Sequence, residues 1–271
     1  MVSARNTRKT QGTVFGRDPE AYDRARPGYP IRIYEILTTR CGLHRGATVF
    51  EIGPGTGIAT RELLRRGADT ITAIEPDRRL ARFLARSLGA RAGRVNVLVE
   101  PFERAKLPSQ GFDLGVAASS FHWTPERMAL RRVARLLKPG GWWASWNNIH
   151  GDPSRSGPFY RAIQPLYTEL SGVPSPGVVA RSSAARHRRE SVAAMRSVGQ
   201  FDRISREDIQ WSVTLKTGQV RALWGTFSDI LVLPPPKRRW FLLNIGRIVE
   251  EEFDGEVKIP ILTYIYTARR T

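Results

Sequence analysis

The sequence predicts a doubly wound α/β fold, in which helices cover both faces of a mostly parallel sheet. Three observations lead to this prediction. Apolar runs and helical patterns alternate along the chain from about residue 47 to Trp146. The first run, Val49–Ile52, has the apolar residues of a strand buried on both faces. A turn with three glycines follows that strand and opens a helix, an arrangement typical of the carboxyl end of a parallel strand.

Local signals place the first elements. Asp18 is a good N-cap and Pro19 suits the first helical position, so a helix begins there and ends before Pro27. A second helix opens at Pro30 and carries an apolar stripe. Further strands are predicted at Thr70–Ile74, Val95–Val99 and Phe112–Ala118, and further helices near Ile58–Arg66, Arg78–Leu88 and Pro125–Leu137.

The alternation stops after Asn148. We interpret residues 150–200 as an insertion that covers the active site, with a helical piece around Phe159–Leu170 and an arginine-rich second half. Regular structure then returns with a strand at Asp208–Leu215, a helix from Thr217 to Leu231, a long helix to about Phe253, and an alternating strand at Ile259–Ala268 that suits an antiparallel edge. The prediction is a single domain over 1–271, divided into 14–45 (helices over the site), 46–149 (core), 150–200 (lid) and 201–271 (the rest of the sheet).

The glycine turn indicates a bound nucleotide-like ligand. Gly53, Gly55 and Gly57 let the backbone turn sharply and let a ligand approach where a Cβ would collide. Glu75 comes 20 residues after Gly55, at the end of the next strand, where a carboxylate can accept both ribose hydroxyls. Glu51 precedes the glycines, and an acid there repels phosphate and suits a cationic amino acid.

A nicotinamide dinucleotide is disfavoured by two residues. Its fingerprint requires glycine or alanine three positions after Gly55, where this chain has Ile58, and its pyrophosphate requires an unobstructed helix N-terminus rather than Glu51. The ligand that fits better carries an ammonium and a sulfonium.

This E-x-G-x-G-x-G form resembles motif I of the class I S-adenosylmethionine-dependent methyltransferases. Further segments resemble that family in the same order, over residues 14–148: Ala21–Pro30, Glu100–Glu103, Phe112–Ala118, Ser119–Trp123 and Leu136–Gly141. The Phe121-His122-Trp123 triplet resembles the small-molecule, "type 11" branch. The resemblance implies a Rossmann-like, seven-stranded sheet with an antiparallel last strand, S-adenosylmethionine as cofactor, and methyl transfer to a small molecule.

The resemblance also implies a set of cofactor-binding residues: Glu51, Gly53, Gly55, Gly57, Glu75, Pro76, Phe102, Glu103, Ser119, Tyr22 and Arg26. Several of them have a second interpretation. Phe102 either stacks on adenine or belongs to the core, and Pro101, where relatives often have Asp, weakens the adenine contact of Glu103. Tyr22 and Arg26 either contact a carboxylate, of the cofactor or of the acceptor, or belong to a helix that only packs on the sheet, with Arg26 in solvent. His122 is the candidate general base, or it only shapes the transfer site.

Composition limits the classes of partner. The net charge of +18 is carried by 37 Arg and 6 Lys that are spread along the chain, so nucleic acid is a partner that the charge leaves open but does not favour. No apolar run is long enough for a membrane span, Cys41 is alone, and the four histidines lack metal-ligand spacing, so we expect a cytoplasmic protein without a membrane or metal. An RNA or protein methyltransferase and a non-catalytic binding protein stay open as alternatives, and the oligomeric state is unknown.

Overall fold

The structure, a computed structural model, describes residues 15–150, 157–171 and 191–271. Within these residues one sheet has seven strands, in the order β3-β2-β1-β4-β5-β7-β6. The strands are β1 (Ala47–Ile52), β2 (Ala68–Ile74), β3 (Val95–Leu98), β4 (Phe112–Ala118), β5 (Leu137–His150), β6 (Phe201–Lys216) and β7 (Glu256–Arg270).

Helices connect the strands. In chain order the α-helices are α1 (Pro19–Ala25), α2 (Ile31–Thr39), α3 (Ile58–Arg65), α4 (Arg78–Ser87), α5 (Glu126–Leu136), α6 (Pro158–Ala162), α7 (Gln164–Ser171), α8 (through 191–198), α9 (Thr217–Trp224), α10 (Ser228–Leu231) and α11 (Pro235–Phe253). Short 3-10 helices lie at Phe15–Arg17, Gly89–Arg94 and Phe121–Trp123. The predicted start of α1 is confirmed, because the Asp18 side chain accepts a hydrogen bond from the Ala21 N–H at 2.9 Å.

Parallel pairing brings the functional ends of three strands to one edge. β1 pairs in parallel with β2 and with β4, and β4 pairs in parallel with β5. Glu51 in β1 lies opposite Ala73 in β2 and Val116 in β4, so the residues that follow these strands come out side by side. The sheet also contains one antiparallel pair. The predicted mostly parallel, seven-stranded α/β fold is therefore confirmed.

The described residues form two compact units, each with its own core. The sheet unit comprises 28–147, 191–209 and 263–271, and the aromatic unit comprises 15–27, 148–150, 157–171 and 210–262. Strands β5, β6 and β7 each have residues in both units. The core of the sheet unit gathers aliphatic residues of the strands around Trp146, and that of the aromatic unit gathers Phe159, Tyr160, Trp224 and Phe241.

Three predicted elements differ from the structure. β7 lies between β5 and β6 rather than at the edge, and its burial alternates only up to Leu262 and is continuous from Thr263 to Ala268. The helix predicted from Thr217 to Leu231 is two helices, α9 and α10. The predicted helix around Phe159–Leu170 is likewise divided, into α6 and α7. Much of the predicted lid, including its arginine-rich part, lies outside the described residues.

None of the helices in the described ranges combines the length and the apolar character needed to cross a membrane.

Candidate functional site

The glycine turn between β1 and α3 is held in a left-handed conformation. Gly53, Gly55 and Gly57 have φ angles of 62°, 60° and 90°. A Cβ on Gly53 would lie 2.7 Å from the Cβ of Ser120, and one on Gly57 would lie 2.4 Å from Cδ1 of Leu84. A Cβ on Gly55 meets no protein atom within 4 Å. Packing thus requires two of the glycines, and the third borders open space.

Glu75 follows β2 and fastens this turn. Its Oε2 accepts from the Gly55 N–H at 3.0 Å and its Oε1 accepts from the Asp77 N–H at 3.0 Å. Only 5% of Glu75 is exposed, and burial raises its pKa from 4.5 to about 7, against the effect of the two backbone hydrogen bonds. Each carboxylate oxygen keeps a second lone pair for another donor, such as a ribose hydroxyl.

Glu51 presents the least satisfied carboxylate of the site. The side chain is fully buried, and its Oε2 accepts from the Thr60 hydroxyl at 2.7 Å. Its Oε1 is buried and has no hydrogen-bond partner among the described residues. Burial raises the pKa of Glu51 to about 7, and the nearby Glu75 carboxylate raises it further, whereas Thr60 lowers it.

These residues fit a cationic, adenosine-containing ligand. A buried carboxylate oxygen without a donor is costly, and a ligand ammonium would supply the missing hydrogen bond and charge. The hydroxyl of Thr56, inside the glycine turn, is also buried without a partner among the described residues. A pyrophosphate would meet repulsion from Glu51, so the donor set matches an amino acid with a ribose better than a dinucleotide.

The end of β4 adds two serines. Ser119 has a positive φ of 55°, which is uncommon for a residue with a Cβ, and its N–H donates to the Trp146 carbonyl at 2.8 Å. The Tyr29 hydroxyl donates to the Ser119 hydroxyl at 3.2 Å. The Ser120 hydroxyl donates to the Ile52 carbonyl at the end of β1. The strand end is thus held to β1 and β5 by specific hydrogen bonds.

His122 lies in the 3-10 helix that follows these serines. The side chain is exposed, and its ring centre lies 4.7 Å from that of Trp123. The structure therefore places an accessible imidazole after β4, and the role of His122 as a base stays a prediction.

The residues predicted around adenine differ in exposure. The Phe102 ring is buried, stacks on Phe50 at 6.1 Å between centroids, and lies under the Arg132 guanidinium at 5.2 Å. These contacts are those of a core residue, which was the second interpretation of Phe102. Glu103 and Pro76 are exposed.

Tyr22 and Arg26 belong to the aromatic unit. The Arg26 guanidinium lies 5.1 Å from the Tyr22 ring centre and 4.7 Å from that of Phe227, and it donates to the Thr226 carbonyl at 3.0 Å. The predicted contact of these two residues with a ligand carboxylate stays a prediction.

Sequence reasoning missed residues that support the site. Thr60 bonds to Glu51, Asp77 caps α4 and donates its N–H to Glu75, and Ser120 abuts Gly53. A signal was present only for Asp77, because an acid directly before a helical pattern is an N-cap. The other two contacts join residues 9 and 67 positions apart, and no local pattern announces them.

The fold and the site define a class: an α/β protein with buried carboxylates at the carboxyl ends of its strands that suit an amino-acid-bearing nucleoside. Residues 49–141 match the family model of the methyltransferase domain. Over these residues the match supports the predicted class I S-adenosylmethionine-dependent methyltransferase family. The narrower small-molecule branch stays a prediction.

An uncharacterized methyltransferase of Mycobacterium tuberculosis is 30% identical to this chain over 135 residues. The aligned part covers 50% of this chain and 52% of that protein, so the chain matches about half the length of such curated relatives.

Two solved structures share the fold. Phosphoethanolamine N-methyltransferase 2 of Haemonchus contortus, solved with phosphomonomethylethanolamine and S-adenosylhomocysteine, is 14% identical, with a TM-score of 0.55 over 100% of this chain and 60% of that one. The 4+2 cyclase SpnF is 18% identical, with a TM-score of 0.51 over 91% of this chain and 83% of that one. At these identities the likeness concerns the fold alone.

Proposed function

We propose that this protein transfers a methyl group from S-adenosylmethionine to a small-molecule acceptor. The observation that carries the proposal is the pair of buried carboxylates, Glu51 and Glu75, on either side of the glycine turn. Glu51 has an oxygen without a partner among the described residues, and each oxygen of Glu75 accepts one backbone hydrogen bond and keeps a second lone pair.

Each part of the donor has a residue suited to it. Glu75 would accept the ribose hydroxyls, and Glu51 would face the ammonium of the methionine part, directly or through water. Gly55, with open space beside it, would let the ligand approach the backbone. Ser119, at the end of β4, has a hydroxyl for the methionine part. Pro76 and Glu103, which are exposed, stay candidates for the adenine side.

The sulfonium of the donor supplies a methyl group that is already bound to a good leaving group. The work left to the chain is to hold the acceptor atom in line with that methyl group, at about 3–3.5 Å, and to keep water away. His122, with its accessible imidazole, is the candidate to remove a proton from a hydroxyl or amine acceptor.

A different reaction on the same scaffold is the second candidate. The cyclase that shares the fold is named for a reaction other than methyl transfer, so the fold alone does not select the reaction. Donor binding does not separate the two candidates, whereas formation of S-adenosylhomocysteine from S-adenosylmethionine does. The RNA alternative depends on the net charge of +18.

The first experiment is calorimetric titration of S-adenosylhomocysteine into wild type, Glu75→Gln and the control Asp69→Asn. Asp69 is exposed at the other end of β2, so the control makes the same chemical change away from the site. We expect binding to weaken about tenfold or more (about 1.4 kcal/mol) in Glu75→Gln and to be unchanged in Asp69→Asn. Absence of binding to the wild type would refute the proposal.

A further inference from the structure

A second group of polar side chains lies in the aromatic unit, around Phe227. The Arg26 guanidinium covers the Phe227 ring at 4.7 Å from its centre, and the His150 ring meets it edge-on at 5.1 Å. Trp224 contacts the same ring at 5.3 Å. We call Arg26, His150, Trp224 and Phe227 the Phe227 cluster.

Three nitrogen atoms of this cluster have no hydrogen-bond partner among the described residues. They are Nε of Arg26 and Nε1 of Trp224, which are always donors, and Nδ1 of His150. His150 is only 8% exposed, and burial together with the Arg26 charge lowers its pKa to about 3, so the imidazole is neutral at pH 7. Buried polar groups in folded proteins are almost always satisfied, so three unpaired nitrogens around one ring indicate a missing ligand atom.

The positive charge of Arg26 is not matched by an ion pair among the described residues. Its guanidinium donates to a neutral group, the Thr226 carbonyl. The Asp229 carboxylate interacts with the Arg26 charge but forms no ion pair with it. That carboxylate accepts from the backbone N–H groups of residues 229 and 230, and burial raises its pKa. A guanidinium packed against an aromatic ring, with one N–H unused, is suited to an anion.

We propose that the Phe227 cluster binds the carboxylate of a small organic acid. The Nε–H of Arg26 donates to one carboxylate oxygen, and His150, in the tautomer with hydrogen on Nδ1, donates to the other. The surrounding Trp224 and Phe227 favour an acid with an apolar or aromatic body. The inference goes beyond the proposed function and does not depend on it.

A carboxylate explains the cluster better than a phosphate does. A carboxylate carries one negative charge, which the Arg26 guanidinium can balance, whereas a buried phosphate dianion would keep an unbalanced charge near the Asp229 carboxylate. Inorganic phosphate is therefore a useful competitor in the test.

The experiment is an NMR titration of the full-length protein with benzoate, phenylacetate and succinate, each compared with its amide. The variants are Arg26→Gln, Arg26→Lys and His150→Phe, and the control is Arg24→Gln, an exposed arginine on the same helix. S-adenosylhomocysteine binding to every variant is measured in parallel. This second titration tests the proposed donor site independently of the acid. Circular dichroism of each variant tests whether the variant is folded.

We expect at least one acid to bind wild type and Arg24→Gln, and to bind at least about tenfold more weakly to Arg26→Gln. Arg26→Lys keeps the charge but lacks the guanidinium fork, so it should also bind more weakly, and so should His150→Phe. The amide should bind more weakly than its acid.

Three results would overturn the inference: no acid of the panel binds, the acid binds Arg26→Gln as well as wild type, or phosphate displaces it at equal concentration. If S-adenosylhomocysteine still binds in these cases, the inference fails and the proposed donor site stands. If the acid binds as expected and S-adenosylhomocysteine does not, the carboxylate site stands and the proposed function fails.

Discussion

Glu51→Gln should stabilise the ligand-free protein at pH 8. At that pH the wild-type carboxylate is ionised, fully buried, and bonded through one oxygen only, to Thr60. Glutamine has nearly the same shape, its carbonyl can accept from Thr60, and it brings no buried charge. The residue that we assign to the ligand ammonium is therefore expected to reduce stability when no ligand is bound.

The magnitude follows from the pKa of Glu51, which rises from 4.5 to about 7 in the folded protein. Between pH 4.5 and about pH 7 the folded state keeps a proton on Glu51 that the unfolded state has lost. The contribution of Glu51 to the free energy of unfolding therefore falls as the pH rises through this range, and it is constant above about pH 7. A shift of this size corresponds to a loss on the order of 3 kcal/mol. Glutamine does not titrate, so Glu51→Gln escapes this loss.

The assay is urea unfolding of wild type, Glu51→Gln and Glu251→Gln at pH 5 and pH 8. Glu251 is an exposed residue of α11 and controls for the removal of one charge. Titrating groups that do not interact with Glu51, such as His150, are common to all three proteins and cancel in the differences, whereas the interaction with Glu75 is part of the Glu51 shift. Glu51→Gln should gain on the order of 1–3 kcal/mol over wild type at pH 8 and close to none at pH 5. Equal pH dependence in wild type and Glu51→Gln would refute the reasoning.

Two glycines should separate packing from ligand binding. Gly57→Ala should cost about 2–4 kcal/mol in urea unfolding, because it adds left-handed strain to an overlap with Leu84. Gly55→Ala should cost only about 1–2 kcal/mol in urea unfolding, because its Cβ enters open space. The same substitution should weaken S-adenosylhomocysteine binding at least about tenfold, as measured by calorimetry. Unimpaired binding would show that the ligand does not occupy this open space. Cys41 is fully buried and burial raises its pKa to about 12, so a thiol reagent should modify it only after unfolding, and rapid labelling of the native protein would contradict its burial.

The predictable part of the fold was encoded locally. The strand, glycine turn and second strand over Val49–Glu75 could be read because each signal extends over a few residues, and the N-cap Asp18 is of the same kind. The strand β7 was placed at the edge because Ile259–Ala268 was interpreted as alternating between apolar and polar positions. The strand lies instead between β5 and β6, and its residues from Thr263 to Ala268 are buried on both faces. Pairing between distant strands leaves little local trace in the sequence.

The candidate site divides in the same way. The glycines and both carboxylates could be identified from spacing, but their state could not. Thr60 supplies the hydrogen bond that satisfies one oxygen of Glu51. Phe102 is buried against Phe50 and against Arg132, which lies 30 positions further along the chain. His150 escaped notice because nothing in the sequence distinguishes a histidine that ends a strand beside Phe227 from one in solvent.

The double hydrogen bonding of Glu75 has a consequence for anyone who wishes to change the donor. Its two oxygens tie the Gly55 and Asp77 backbone together, so the side chain that would recognise a ribose is also the clasp of the loop that surrounds it. Replacing Glu75 to accommodate an altered nucleoside would loosen the loop as well as the contact. A redesign of donor specificity would therefore have to supply a new clasp for the Gly55 N–H together with the new recognition group.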